Sequence, residues 1–196
     1  MLYKDITSKN EKGFTLIEIA IVLIIIGLIL GMVFKGRQLI DNAKVKSLEA
    51  NYNKIITAVN IFYDRYGFYP GDGCNSTPAP TKPSDCNYGK DGLLTVTNEY
   101  KAFWKLVIDV TNLLTPAERK TVSGTTWDIA NATKGNRSGD WIYATLDKRY
   151  VCDLDRRIDD GDSENGIIYT GGNLYDSTTD CWSLNGTVRT FFYLFP

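Results

Sequence analysis

From Phe14 to Phe34 the chain runs through 21 residues with a single charge, Glu18, and seventeen of the 21 are aliphatic, aromatic or Met. A run of that length and composition crosses a bilayer as a helix, so the remaining residues must be placed relative to a membrane. A secretory signal peptide is the competing use of such a run. Its apolar region covers only about 7–15 residues and closes on a small-residue cleavage site. Here no A-x-A pattern follows, and the helical pattern continues into Lys35 and beyond. Lys4, Lys9 and Lys12 precede the run beside Asp5 and Glu11, and Lys35 and Arg37 follow it, so flanking charge does not fix its orientation. Glu18 is the costly residue. A comparable charge at a helix centre costs on the order of 3 kcal/mol in insertion experiments and marks a functional group by default. The plainer alternative is snorkelling to the interface, about one turn away.

The residues leading into the run read Lys12-Gly13-Phe14-Thr15-Leu16-Ile17-Glu18. A basic residue, a Gly, a Phe and a Glu four residues after the Phe, opening an unbroken apolar helix, resemble the type IV pilin and pseudopilin superfamily. That resemblance implies a prepilin leader over residues 1–13, cut between Gly13 and Phe14 on the cytoplasmic side by prepilin peptidase. The same peptidase/N-methyltransferase would methylate the new amine of Phe14. It further implies that Phe14 and Glu18 serve assembly, the carboxylate facing the charged N-terminus of a neighbouring subunit. A carboxylate in a low-dielectric bundle is tolerable mainly with a cation beside it. The chain departs from many pilins in lacking a midway Pro, its first being Pro70. Gly27, Gly31 and Gly36 are the remaining weak points, each costing roughly 1 kcal/mol relative to Ala, and are the expected place for unwinding in a filament. The Gly27-x-x-x-Gly31 spacing also suits close helix–helix contact.

Beyond the membrane run, Val45, Leu48, Tyr52, Ile55, Val59, Phe62 and Tyr66 recur at spacings of three and four, an apolar stripe on one helix face. The other faces carry Lys44, Lys46, Glu49, Lys54 and Asp64. The pattern predicts one helix over 14–66, roughly 80 Å at 1.5 Å per residue, spanning the membrane over 14–34. A coiled coil is the alternative partner for the stripe. Gly67-Phe68-Tyr69-Pro70-Gly71-Asp72 ends the helix with the Gly-then-Pro punctuation of a C-terminus. The composition changes there. Residues 1–66 carry a net charge of +3, residues 67–196 a net charge of -4.

Residues 67–196 are expected to form a globular head. Gly71–Asp91, rich in Pro, Gly, Asn, Ser and Asp, reads as a surface loop. Thr97–Leu114 reads as a helix capped by Thr97 or Asn98 and ended by Thr115-Pro116, with Phe103-Trp104 as a core aromatic pair. Trp141–Thr145, Tyr150–Asp153, Gly166–Thr170 and Val188–Leu194 read as strands. The expected class is α+β, a long N-terminal helix packed against a mostly antiparallel sheet with an additional helix.

The chain has four Cys and no His. The missing His removes the usual general base of hydrolases and the commonest nitrogen ligand for transition metals. The Cys spacings contain no C-x₂₋₄-C pair, so a zinc site is disfavoured. A chain exported by its N-terminal helix places its Cys where disulfides persist, and four Cys allow three pairings. Cys74 and Cys86 share one loop, which favours their pairing; Cys152–Cys181 resembles the C-terminal disulfide loop of many pilins.

The densest acidic stretch runs from Asp155 to Gly166. Asp155, Asp159, Asp160, Asp162 and Glu164 crowd oxygen donors around glycines, a donor set for calcium, although the EF-hand spacing is absent. Its Ile158-Asp159-Asp160-Gly161 core resembles a recurring turn in prepilin-type proteins, and some pseudopilins bind calcium in C-terminal loops. The plainer expectation is a solvated turn with Asp–Arg pairing and no cofactor. After residue 66 no Lys/Arg stripe suggests nucleic acid, and no Gly-rich phosphate loop or G-x-S-x-G motif occurs.

The resemblance thus implies a non-enzymatic subunit of a type IV pilus, pilin or minor pilin, held first in the inner membrane as a single-pass precursor. It would then assemble with other pilin subunits into an extracellular filament. A periplasmic type II secretion pseudopilin is the alternative, and a signal-anchored periplasmic binding or enzymatic domain the reading from another class.

Overall fold

A computed structural model of the protein describes residues 13–75 and 77–195. The leader residues 1–12 lie outside the described residues. The chain divides into two compact units, Met1–Ile40 and Asp41–Pro196, and helix α1 (Leu16–Tyr66) contributes to both.

In the first unit α1 is helical without a break through Gly27, Gly31 and Gly36. A Cβ at any of the three would meet nothing within 4 Å, so among the described residues no neighbour requires a glycine there. The large apolar side chains from Leu16 to Phe34 are exposed. An exposed apolar surface that continuous marks a membrane or protein interface.

The second unit is built on the other half of α1. Val45, Leu48, Tyr52, Ile55, Ala58, Val59 and Phe62 are its buried residues there. Ala58 thus joins the predicted stripe, while Tyr66 stays exposed. A four-stranded antiparallel sheet supplies the opposite wall, in the order β1 (Asp128–Lys134), β2 (Arg137–Asp147), β4 (Thr187–Phe195), β3 (Ile168–Tyr169). Phe192 on β4 is wholly buried and meets Tyr52 and Trp127, each at 5.2 Å between ring centroids. Edge-to-face rings at such distances add about 0.5–1.5 kcal/mol beyond the area they bury. Two polar side chains tie this seam together: the Tyr52 hydroxyl donates to the Tyr193 carbonyl at 2.6 Å, and Trp127 Nε1 donates to Asn51 Oδ1. The β1–β2 hairpin turns through Gly135 at φ 56°, where a Cβ would lie 2.3 Å from the Glu164 carbonyl oxygen. Only glycine fits that approach.

Four local expectations are corrected. Tyr150–Asp153 is no strand; it belongs to helix α3 (Lys148–Ile158), started by Asp147, whose side chain accepts from the Arg149 N–H. A four-residue apolar window fits either period, and the capping Asp at the end of β2 decides it. Strand β1 was not expected, because Asp, Ala and Asn are weak strand formers; it exists by pairing with β2 over its full length. The Thr97–Leu114 helix is α-helical only as α2 (Thr97–Trp104), continues as a π-helical turn over Lys105–Val110, and then stops. Asn112 at φ 50° takes the left-handed conformation that ends it. The N-cap of α2 is Val96, and Glu99 one turn inside accepts from the Thr95 and Val96 N–H groups at 2.7 and 3.2 Å. Gly166–Thr170 shortens to Ile168–Tyr169.

Candidate assembly site and the acidic turn

Gly13 and Phe14 precede α1 as irregular, exposed backbone, with Phe14 85% exposed. Thr15 caps the helix. Its hydroxyl accepts from the Glu18 N–H at 3.3 Å, and Glu18 Oε2 in return accepts from the Thr15 N–H and hydroxyl, both at 2.8 Å. This is a capping box, and the Thr15-Leu16-Ile17-Glu18 signal for it stands in the sequence just ahead of the apolar run. Neither the assembly role nor the snorkelling expected of Glu18 includes this local one, and Thr15 is not among the expected site residues. The box explains how the chain holds a carboxylate at the start of an apolar helix. One oxygen is satisfied by Thr15, and the negative charge lies in the first helical turn, where the macrodipole favours it.

The cysteines join as Cys74–Cys86 and Cys152–Cys181, with all four side chains buried. The first closes the loop after α1. The second ties α3 to the 3₁₀ turn Cys181–Ser183 that leads into β4.

Of the five acidic residues singled out as calcium donors, only three come together: one oxygen each of Asp155, Asp159 and Asp160 lie within 4.8 Å of one another. The chain's own donors already engage them. Asp155 is wholly buried, accepting from the Gly161 N–H at 3.0 Å and the Tyr175 hydroxyl at 2.8 Å. Asp159 Oδ2 accepts from the Ile167 and Ile168 N–H groups at 2.5 and 2.8 Å, and Asp160 from Asp162 N–H at 2.9 Å. Asp162 and Glu164 stand apart from the trio. Asp162 accepts from the Glu164 N–H and the Asn165 amide, and Glu164 accepts from the Asn173 N–H. The expected Asp–Arg pairing within the turn is replaced: Arg157 bonds Asp153 at 2.5 Å and Asn42 at 3.2 Å, and Arg156 donates to the carbonyls of Asp176 and Thr179. Burial pushes the Asp155 carboxyl up to about 7, against the opposing pull of its Tyr175 and Gly161 donors. The arrangement clamps a turn between α3 and β3 through carboxylate-to-backbone bonds.

A second buried carboxyl was invisible in the sequence. Asp140, wholly buried in β2 beside the irregularity in its pairing with β4, accepts from the Leu94 N–H at 3.0 Å and the Asn131 amide at 3.1 Å. Burial pushes it up to about 7 as well. It secures the loop ahead of α2 to the sheet.

The model of the prokaryotic N-terminal methylation motif matches residues 8–34. The chain therefore carries the type IV pilin and pseudopilin signature at its N-terminus. That motif implies processing by prepilin peptidase and assembly with other pilin subunits, and with the apolar helix it fits a membrane-anchored precursor. No curated protein matches the chain.

Proposed function

We propose that this protein is a structural subunit of a type IV pilus, a pilin or minor pilin. Its leader is removed at Gly13, its Phe14 amine is methylated, and its apolar helix moves from the inner membrane into the core of an extracellular filament. The observation that carries the reading is the methylation motif over residues 8–34 opening directly into an apolar, exposed helix with the one carboxylate Glu18. The mechanism is assembly, with no catalytic turnover and no cofactor. Helices exchange lipid for one another, and Glu18 sets register by pairing with a neighbour's N-terminal ammonium. The two disulfides suit a head exported across the inner membrane, where such bonds persist.

Immunogold labelling of sheared cell-surface filaments with an antibody to the head tests the choice. Label along the filaments, dense for a major pilin and sparse for a minor one, is the expected result. Label retained in the cell envelope, with bare filaments, contradicts the pilus reading and selects the pseudopilus.

A further inference from the structure

Three buried carboxyls from separate parts of the head converge on the segment ahead of α2. Asp72, in the loop after α1, is 2% exposed, Glu99 of α2 is 5% exposed, and Asp140 of β2 is wholly enclosed. Asp72 accepts from the Gly92 N–H at 3.1 Å, Asp140 from the Leu94 N–H at 3.0 Å, and Glu99 from the Thr95 and Val96 N–H groups. Glu99 also accepts from the Gly73 N–H at 3.2 Å, which ties the loop after α1 into the same cluster. The surroundings offer no counter-charge. Among the described residues no ion pair includes any of the three, and the chain has no His. Asp91 lies beside Asp72. Lys90 holds its ammonium over the Phe68 ring at 3.4 Å. On the sheet side β1 presents the neutral Asn131, whose N–H donates to the Tyr100 hydroxyl of α2, and β4 presents Phe195 opposite Asp140.

A carboxyl removed from water keeps its charge only beside a cation or under a full set of donors. The donors here are shared unequally. Three backbone N–H groups point at Glu99, while Asp140 meets the Leu94 N–H and the Asn131 amide. Asp72 shows the Gly92 N–H alone, and its Oδ1 is enclosed with no partner among the described residues. A shared metal ion does not resolve this. Among the described residues the acids whose oxygens gather within 4.8 Å as a trio are Asp155, Asp159 and Asp160, so these three do not meet at one point. A proton remains, and Asp140 is built to take it. Its Oδ1 lies 3.1 Å from the Asn131 amide, which, turned over, presents its carbonyl oxygen to a carboxyl O–H. Its Oδ2 meanwhile keeps the Leu94 N–H.

We propose that the head folds with a proton on Asp140 and that this proton is a pH-sensitive latch between β2 and the segment ahead of α2. Protonated, Asp140 joins Leu94 to Asn131 without adding a charge to the cluster. Deprotonated, it sets a buried charge against those of Asp72 and Glu99 and loosens the segment that all three hold. Burial pushes Asp140 up to about 7 and Asp72 above the usual carboxylate range, and the nearby Glu99 raises both further. The folded head thus binds the proton more tightly than the opened segment does. The latch holds in full at acid pH, weakens as pH rises from about 4 to about 7, and levels off beyond. The inference rests on the head alone and stands whether or not the chain enters a pilus.

The test follows the Leu94 amide in nitrogen–proton spectra of the full chain, held in a non-ionic detergent with a chelator, as pH is raised from acid to mildly alkaline. The expected result is a Leu94 signal that moves with a midpoint near neutrality. Its protection from exchange, corrected for the intrinsic rate, should fall by up to about tenfold per pH unit below that midpoint. Asp140→Asn copies the protonated carboxyl, its amide donating to Asn131 and its carbonyl accepting from Leu94. That variant should fold, hold the Leu94 signal still and remove most of the fall in protection. The parent titration decides the proton by itself if the variant does not fold. The proposal is overturned by a Leu94 signal that stays fixed above about pH 5, where an ordinary carboxylate has already lost its proton. It is overturned equally by a movement that survives Asp140→Asn, by an unchanged fall in protection in that variant, or by a Leu94 signal that shifts when calcium replaces the chelator, which would place a cation in the cluster.

Discussion

Glu18→Ala leaves leader removal and membrane insertion in place and takes the chain out of filaments. The cut falls at Gly13–Phe14, ahead of Glu18, and replacing a carboxylate by methyl makes the apolar helix a better membrane segment. Assembly is where the charge counts. In a filament core of apolar helices, one neighbour's ammonium stays unpaired for every Glu18 removed. Breaking one side of a buried ion pair costs about 3–5 kcal/mol, or two orders of magnitude or more in an assembly equilibrium. The capping box complicates the reading of Ala, because the same substitution also removes the acceptor for Thr15. A lost cap costs about 1 kcal/mol, too little to abolish incorporation. Glu18→Gln separates the two effects. A Gln one turn inside the helix still completes a capping box and carries no charge. The account expects Gln to fail as Ala does, read as subunit recovered in sheared filaments against subunit in membranes. Filaments built normally from the Gln variant would show that the helix cap, and no charge pair, is what Glu18 provides.

Removing the Cys152–Cys181 bridge has the second large effect. It spans a sequence separation of 29 residues, against 12 for Cys74–Cys86, and closing a loop of the longer kind is worth roughly 3.5 kcal/mol on the chain-entropy account. Both sulfurs lie in the main core cluster beside Val151, Leu154 and Tyr175. Paired Ala substitutions avoid leaving a polar hydroxyl there. The head of the Cys152→Ala/Cys181→Ala variant should melt about 10 °C below the parent, and the Cys74→Ala/Cys86→Ala variant should lose less. Calorimetry of the full chain in detergent measures both. A loss of only a degree or two for the longer bridge would mean that α3 and the Cys181–Ser183 turn hold together without it.

The parts of this molecule written in local signals were legible. A 21-residue apolar run with one charge and a stripe repeating every three or four residues specify α1 almost residue by residue, because membrane length and helical period act along the chain itself. Even there, Ala58 entered the buried face and Tyr66 left it, since a stripe shows direction and tertiary packing decides how far it reaches. The head was less legible. Tyr150–Asp153 looked like a strand because its helical start rests on Asp147, a residue that also ends β2. Strand β1 has almost no strand-forming composition and exists through its partner. Asp140 stands one residue ahead of the expected strand Trp141–Thr145, where nothing local marks it for burial against the Leu94 N–H and the Asn131 amide. At the candidate assembly site Glu18 was plain, and Thr15 was written beside it as a capping signal that the apolar run overshadowed.

The central claim is that the chain is a processed, filament-forming subunit whose N-terminus is made at Gly13. Intact-mass and N-terminal peptide mass spectrometry of the protein recovered from its own cells tests it most directly. The account predicts a chain that begins at Phe14 and carries one methyl group on its amine. A chain that retains Met1–Gly13, its apolar helix serving as an uncleaved anchor, would contradict it and return the protein to the class of signal-anchored domains.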